Sequence, residues 1–444
     1  MAIGTSYKEI IKMAMPVIFG AFAITLVNIT DTAFLGRIGE TELGASAVGG
    51  ILYFVFAMIG VSIGTGTQII ISRRKGENND SSIGQIFDQS IIILFITGLV
   101  LFVFLKWIAP PLLPLILNQP ELVESTKEFL AYRSYGIFFI LIATAFRSLF
   151  VGIAMPKIYG TYSFLMAGIN IILGYAMIFG NWGFPKMGIA GAGLASSIAE
   201  LLALLFIWGY TFLKKELKQY QLFKFESFKK ELTIKIFELS SPIIVQNLLS
   251  MGAWFLFFVF IEKIGSHELA ISNIVRGAYM ISMTPFWGFS VAANSMVSNV
   301  IGQGKKEEVL GLVQKIIKLT IVVSFLMILV NLIFPVQILS IFTNDIKLIN
   351  DSMGCLQIVD LALIFFGFAI VSINAVSGTG ATKVALYIEI AAIFIYILYA
   401  YLMTFVFKGT VEMVWFSEVL YWLFAGVVCY WYIRTGTWKK LKNI

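Results

Sequence analysis

Charged residues are scarce in this chain, and that scarcity excludes most soluble folds. Asp, Glu, Lys and Arg together make up 13% of the 444 residues, whereas 59% of the residues are hydrophobic. A soluble globular domain carries about 25% charged residues. Uninterrupted apolar stretches of about twenty residues recur along the chain, which is the length that a membrane-spanning helix requires. The composition therefore indicates a protein of the lipid bilayer.

Cysteine and histidine are almost absent, and this removes most metal and nucleophile chemistry. Cys355 and Cys429 are the two cysteines, and both lie in or beside apolar segments, so we expect no disulfide and no thiol chemistry. The single histidine, His267, falls in a short polar connection, where a solvated side chain is expected rather than a metal ligand. Because no nucleophile, base and metal ligands cluster, we expect neither an enzyme nor a bound cofactor.

Twelve apolar segments are long enough to cross a bilayer, so the predicted fold class is an all-α membrane protein. The predicted spans are 10–36, 44–72, 86–112, 126–152, 158–180, 188–212, 237–262, 268–298, 309–335, 351–378, 383–407 and 411–433.

The two halves of the chain are related by one constant shift in residue number, which we call the repeat offset. Without a gap, the repeat offset superposes Pro16 on Pro242 and, far along the chain, Gly152 on Gly378. One register held over this length indicates a tandem duplication. We therefore predict two six-helix lobes with a linker between them, at 1–213, 236–444 and 214–235. Because six spans per lobe is an even number, the two repeats should be parallel.

Basic residues follow the even-numbered spans, which places those loops and both termini in the cytoplasm by the positive-inside rule. The linker over 214–235 holds seven lysines interleaved with aromatic residues such as Tyr220 and Phe223. This pattern suits the surface of a membrane better than nucleic acid. We expect a multi-pass monomer of the plasma (inner) membrane with lipid, and not nucleic acid, as its surroundings.

Asp31 is an acid within the first predicted span, with no cation beside it in sequence. A charged group inside a span is costly and by default marks function, although a position at the water boundary is the alternative. Asn28 and Thr32 share its helix face. If spans 1, 5 and 6 converge, Asn170 and Ser196 would complete a small site. A desolvated acid there could hold a proton, or with further oxygens Na⁺.

Other acids lie in the predicted spans. Glu200 could join the same site, and Glu418 resembles it because each follows a serine in the last span of its half. Both could instead stabilise helices near the interface. Asp360 and Glu389 are acids of the later spans. The cations within spans that could neutralise these acids are Arg147 and Arg276. Buried ion pairs of this kind are often structural.

Two facing bundles would leave a cleft between them, and rocking would expose it to either side in turn. Met and aromatic side chains suit an adaptable cavity for apolar cations. The candidate cleft residues are Met58, Gln68, Asn247, Trp254, Asn273 and Trp287. A packing or lipid-facing role is the alternative for each of them.

Several segments, taken together, resemble one known family. They are 28–39 (NITDTAFLGRIG), 152–157 (GIAMPK), 188–196 (GIAGAGLAS) and 300–304 (VIGQG). They resemble the multidrug and toxic compound extrusion (MATE) family, and the resemblance extends over nearly the whole chain. It implies a twelve-helix, two-lobed antiporter that exports amphipathic, often cationic compounds in exchange for H⁺ or Na⁺. The alternative is a lipid-linked precursor flippase of the same superfamily, whose cleft should be lined by several Arg or Lys.

The resemblance also assigns roles to individual residues. The first-span acid, fifth-span amide and sixth-span hydroxyl of the family map to Asp31, Asn170 and Ser196. Gly174 stands where one bacterial branch has a second acid, and Ser250 and Phe366 stand where another branch has acids in spans 7 and 10. The resemblance therefore implies that ion coupling rests on the N-terminal lobe.

Overall fold

The computed structural model of the protein describes residues 4–226 and 228–440. Within these ranges every regular element is helical. The α-helices are α1 (Tyr7–Gly36), α2 (Glu40–Gly76), α3 (Asp80–Val103), α4 (Ala109–Leu112), α5 (Pro120–Arg133), α6 (Gly136–Gly152), α7 (Pro156–Phe179), α8 (Gly188–Leu213), α9 (Lys230–Ile264), α10 (Ser266–Gly302), α11 (Glu308–Ile333), α12 (Pro335–Leu339), α13 (Ile346–Gly378), α14 (Thr382–Tyr401) and α15 (Val411–Thr435).

Ten helical segments in the described ranges are long and apolar enough to cross a membrane. Helices α5 and α6 meet at a 47° bend and make an eleventh crossing when they are taken as one span. Helix α10 is not among these segments, but its 37 residues match the length of α2. With α10 counted, the described part of the chain has twelve long helical segments, the predicted number.

The duplication is visible in the helix boundaries. The repeat offset carries both ends of α2, Glu40 and Gly76, onto the two ends of α10, Ser266 and Gly302. It also carries the last residue of α6 onto the last residue of α13. The glycines that precede α2 and α10 have nearly identical extended backbone angles, with φ of 175° and 173°. The two halves therefore repeat the same turns at the same places, as a tandem duplication requires.

The chain divides into two compact units. The N-terminal unit is Phe19–Ser240, and the C-terminal unit combines Met1–Ile18 with Ser241–Ile444. These limits differ from the predicted lobes 1–213 and 236–444, because the divisions fall inside α1 and α9, next to Pro16 and Pro242. Helices α1 and α9 therefore each contribute residues to both units, and hydropathy cannot reveal such a division.

The linker packs on the N-terminal unit more closely than a surface connector would. Asp88 of α3 accepts hydrogen bonds from the backbone nitrogens of Phe223 and Phe225, at 2.8 and 2.9 Å. The ring of Phe223 stacks on Trp208, with centroids 5.7 Å apart and planes within 6°. Tyr220 is buried, whereas Phe225 and Phe228 are exposed. Part of the aromatic pattern that predicted a membrane surface therefore serves contacts within the protein.

Gly84 of α3 is where the linker approaches the helix most closely. A Cβ there would lie 2.2 and 2.5 Å from the carbonyl oxygens of Tyr220 and Gln221. Gly84→Ala should therefore displace the linker backbone and lower the free energy of unfolding by about 1–3 kcal/mol. The measurements are the thermal stability of the purified protein and the rate of trypsin cleavage at the linker lysines, which should rise.

Gly98→Ala, in the same helix, is the matched control, because the atom nearest to its added Cβ is 3.4 Å away, an ordinary contact. Equal stability and equal cleavage rates for the two variants would contradict the proposed anchoring of the linker.

Candidate functional site

Helix α1 lies along α7 within the N-terminal unit. A Cβ at Gly20 would lie 3.0 Å from the hydroxyl of Ser163. One to two turns further on, Ala23 and Val27 of α1 pack with Ala167 of α7. The absence of large side chains at these positions allows the two helices to approach closely. The first span and the fifth span therefore converge, as the predicted site required.

This packing brings Asp31 to α7 at Gly174. A Cβ added at Gly174 would lie 3.8 Å from Oδ1 of Asp31 and equally near the ring of Phe34. Phe34 in turn contacts the ring of Phe179, with centroids 5.6 Å apart. Asp31 is half-buried. The Asp31 carboxylate therefore packs against Gly174 of α7, a contact at which no basic side chain is present.

Asn170 lies one helical turn before Gly174 and connects α7 to α8. Its Nδ2 donates to the hydroxyl of Ser196 at 2.9 Å, and that hydroxyl donates to the Ala192 carbonyl at 3.0 Å. The Oδ1 atom of Asn170 is buried and has no hydrogen-bond partner. A buried acceptor without a donor is costly, so this oxygen is suited to a proton donor or a cation.

Asn28 and Thr32 lie on the exposed face of α1. The Thr32 hydroxyl donates to the backbone carbonyl of Asn28 at 2.7 Å, which is a bond within the helix. Among the six predicted ion-site residues, Asp31 of α1 thus packs against α7, and Asn170 is hydrogen-bonded to Ser196. The hydroxyl of Thr32 instead bonds within its own helix.

Glu200 belongs to a buried ion pair. Its two carboxylate oxygens accept hydrogen bonds from Nη1 and Nη2 of Arg133, at 2.8 and 2.7 Å. The hydroxyl of Tyr53 donates to the same carboxylate at 3.1 Å, and the Arg133 guanidinium lies 3.5 Å from the centroid of the Tyr53 ring. The negative charge of Glu200 is therefore compensated by a two-pronged pair, which leaves little of it for a coupling ion.

Arg133 is the functional neighbour that sequence reasoning missed. Arg147 and Arg276 were expected to neutralise the acids, but they lie over the rings of Tyr159 and Phe258, at 5.9 and 5.0 Å. Arg133 and Arg147 both fall in the predicted fourth span, so spacing alone does not separate them. Arg133 also acts electrostatically on Asp31, which links the ion pair to the candidate site.

With this geometry established, comparison with known proteins identifies the family. The family model described as MatE matches residues 16–176 and again residues 242–402. The two matches are separated by the repeat offset, so the model has found the same duplication. The chain belongs to the MatE family.

Individual relatives of this MatE chain agree with the family match. The probable multidrug resistance protein NorM of Thermotoga maritima is 25% identical over 440 residues, covering 98% of this chain and 93% of its own length. The outward-facing structure of a multidrug resistance MATE transporter of the MOP superfamily superposes with a TM-score of 0.91 at 19% identity, covering 98% of this chain and 97% of its own.

A second solved structure widens the functional range of the fold. A MOP superfamily transporter from Pyrococcus furiosus, in which a binding pocket of reverse polarity suggests a different function, superposes with a TM-score of 0.91 at 20% identity. It covers 98% of this chain and 97% of its own. These likenesses confirm the predicted all-α, twelve-helix MATE-like fold, whereas residue roles have to be argued from this chain itself.

The candidate cleft residues of this MatE protein have mixed surroundings. Gln68 is buried, and Met58 and Asn247 are half-buried. Trp254 packs edge-on against Phe258 at 5.6 Å. Trp287 is 48% exposed, and Asn273 donates to the Leu269 carbonyl of its own helix at 2.9 Å. Their role in a cleft stays a prediction.

His267 is not a loop residue. It lies in the first turn of α10, where its Nε2 is 2.9 Å from Oδ2 of Asp351, and both side chains are about two-fifths exposed. Helix α10 begins at Ser266, two residues before the predicted span 268–298.

Arg133 and Glu200 should stabilise the protein as a pair, so that the effects of removing them are not additive. Glu200→Gln should lower the free energy of unfolding by about 3–5 kcal/mol, because it leaves Arg133 buried without its counter-charge. Arg133→Leu should cost a similar amount. The double variant should cost clearly less than the sum of the two single changes. Thermal or denaturant unfolding of the purified variants measures this, and additive effects would mean that the two groups do not stabilise one another.

Proposed function

We propose that the protein is a secondary active antiporter that exports amphipathic, cationic organic compounds in exchange for H⁺ or Na⁺. Membership of the MatE family supports membrane transport in general. The observation that carries the specific proposal is a carboxylate, Asp31, packed on α7 one turn from the unpartnered oxygen of Asn170. An acid inside the membrane with no salt bridge is the group whose charge an ion gradient can switch.

The proposed exchange follows from competition for that charge. An ionised Asp31 attracts a cationic substrate, and a proton or Na⁺ on Asp31 removes the attraction. Coupling is reciprocal, so bound substrate weakens ion binding by the same factor. Alternating exposure of the site to the two sides of the membrane would then convert an ion gradient into export.

Asp31→Asn imitates the neutral carboxyl group and should abolish gradient-driven efflux while the protein stays folded and membrane-inserted. The measurement is dye efflux from proteoliposomes, normalised to the amount of inserted protein. Asp351→Asn is the control, because Asp351 is an exposed acid at the start of α13. Efflux near the wild-type rate in Asp31→Asn would remove Asp31 from the mechanism.

The choice of coupling ion can be made with the wild-type protein. Proteoliposomes loaded with a dye are given a pH gradient alone and then a Na⁺ gradient alone. Na⁺ needs several oxygen ligands, whereas a proton needs one carboxyl oxygen and an acceptor such as Asn170 Oδ1. Because Asn170 already donates to Ser196, we expect the pH gradient to suffice.

Substrate charge gives a separate prediction. A cationic dye should bind more tightly than a neutral or anionic analogue of similar size, and Asp31→Asn should reduce the difference between them. A lipid-linked precursor flippase would instead require an array of cations, but Arg133 is paired with Glu200 and Arg147 lies over Tyr159. Equal affinity for the three analogues would contradict the cationic substrate class.

The proposal also includes the location of the protein, the orientation of its termini and its oligomeric state. The basic loops after even-numbered spans support a plasma-membrane protein with both termini in the cytoplasm. We also propose that it works as a monomer without a cofactor.

A further inference from the structure

The C-terminal unit buries three acids that the proposed exchange does not use. Asp360 of α13 accepts a hydrogen bond from the amide of Asn331. The other two lie on the last two helices: Glu389 of α14 is 3% exposed, and Glu418 of α15 is 4% exposed.

No lysine or arginine among the described residues forms an ion pair with Glu389 or Glu418, although Glu200, in the last span of the other unit, has Arg133. The residue that the repeat offset places opposite Arg133 is the buried, apolar Val359.

Glu418 and Glu200 correspond through their contacts and not through the repeat offset, which carries Glu200 to Gly426. Tyr53 and Tyr279 are related by the repeat offset, and each donates from its hydroxyl to the acid of its own unit. Around Glu418, the place of the missing cation is taken by neutral donors. The indole nitrogen of Trp422 donates to the Glu418 carboxyl group at 2.9 Å.

Glu389 marks a second divergence between the repeats. The repeat offset relates Glu389 and Gln246 to Ser163 and Gly20, which form the close contact between α7 and α1. In the C-terminal unit the same contact joins Gln246 Nε2 to Glu389 at 3.4 Å. A contact between two small residues in one unit is therefore replaced, in the other, by a contact between an amide and an acid.

If Glu389 were ionised, the Ser250 hydroxyl would have one proton for two neighbouring acceptor oxygens. The Ser250 hydroxyl lies 2.9 Å from the Gln246 carbonyl and 2.7 Å from Oε1 of Glu389. A hydroxyl has one proton and cannot donate to both oxygens. A proton on Glu389 lets both contacts be hydrogen bonds. The hydroxyl of Tyr421 also contacts the same carboxyl oxygen.

Tyr396 offers an acceptor for a proton carried by Glu418. Its side chain is 3% exposed and lies beside Glu418, yet its hydroxyl makes no well-formed hydrogen bond. A protonated Glu418 could donate to that oxygen while still accepting from Trp422. The repeat offset relates Tyr396 to Asn170, whose Oδ1 is the unpartnered buried oxygen of the N-terminal site.

The groups that face the two acids are otherwise neutral. The titratable ones are Tyr279 of α10, Tyr396 of α14, and Tyr421 and Cys429 of α15. Helix α13 contributes the ring of Phe366, 4.7 Å from that of Trp422. Two uncompensated charges in such surroundings would be very unfavourable, and protonation removes both. Indole N–H groups cannot ligate a metal cation, so the ligand that suits this cluster is H⁺.

We propose that Glu389 and Glu418 form a second proton-binding centre, in the C-terminal unit, that adds to the protons the transporter exchanges. Its part in exchange rests on the proposed antiport, whereas its proton occupancy does not. The proposal extends ion coupling, which the resemblance placed on the N-terminal lobe, to the C-terminal unit.

Infrared spectroscopy of the purified full chain in lipid nanodiscs tests the occupancy directly. A protonated carboxyl group has a carbonyl band that an ionised one lacks. At neutral pH, Glu389→Gln and Glu418→Gln should each remove a component of that band. Glu200→Gln is the matched control and should leave the band unchanged, because Arg133 keeps Glu200 ionised. An unchanged band in both test variants would overturn the proposal.

Two further measurements keep the test decisive if a glutamine variant does not fold. Tyr396→Phe removes the acceptor beside Glu418 and should shift the band without removing it. The second measurement needs only one of the two glutamine variants to fold: the number of protons taken up per exported dye should be larger for the wild-type protein than for Glu389→Gln or Glu418→Gln. A band that is lost with an unchanged proton count would overturn the role in exchange and leave the proton occupancy standing.

Discussion

An ionised side chain inside a bilayer needs a counter-charge, and the acids of this chain differ in how nearly they have one. Glu200 has the two-pronged pair with Arg133. Asp360 has only the amide of Asn331, at 2.5 Å. Glu389 and Glu418 have hydroxyl, amide and indole donors. Asp31 has none of these and lies half-buried against α7. The degree of compensation separates structural acids from acids that can exchange an ion.

The duplication allows these differences to be compared at matched positions. Both units keep the tyrosine that binds the acid of the last span, but only one unit keeps the arginine. The first-helix acid of the N-terminal unit, Asp31, has its counterpart in Phe257, which stacks on Tyr396 at 5.6 Å. The two units therefore share helix geometry but differ in where their carboxyl groups lie, because the C-terminal unit has Phe257 opposite Asp31 and Glu389 opposite Ser163.

Packing within each unit follows the same physical logic. A small residue at a helix contact, such as Gly20, lets a polar side chain of the neighbouring helix, such as that of Ser163, lie close to the backbone. The linker obeys a related rule, because Asp88 satisfies two backbone nitrogens of a segment that has no helical bonds of its own there. At the first place the space beside a backbone determines where a polar group lies, and at the second the unbonded backbone nitrogens do.

Hydropathy was enough to establish the membrane class and the twelve spans, because both depend on residues near one another in the chain. The duplication and its register follow from comparing the sequence with itself. The residue types also singled out Asp31, Asn170 and Ser196. Only the packing of the helices shows that Arg133, and not Arg147, pairs with Glu200, and that the divisions between units fall inside α1 and α9. The same packing places Tyr396 beside Glu418. These facts depend on which faces of distant helices meet, and an apolar helix that is hydrophobic on every side does not record in its own sequence which face that is.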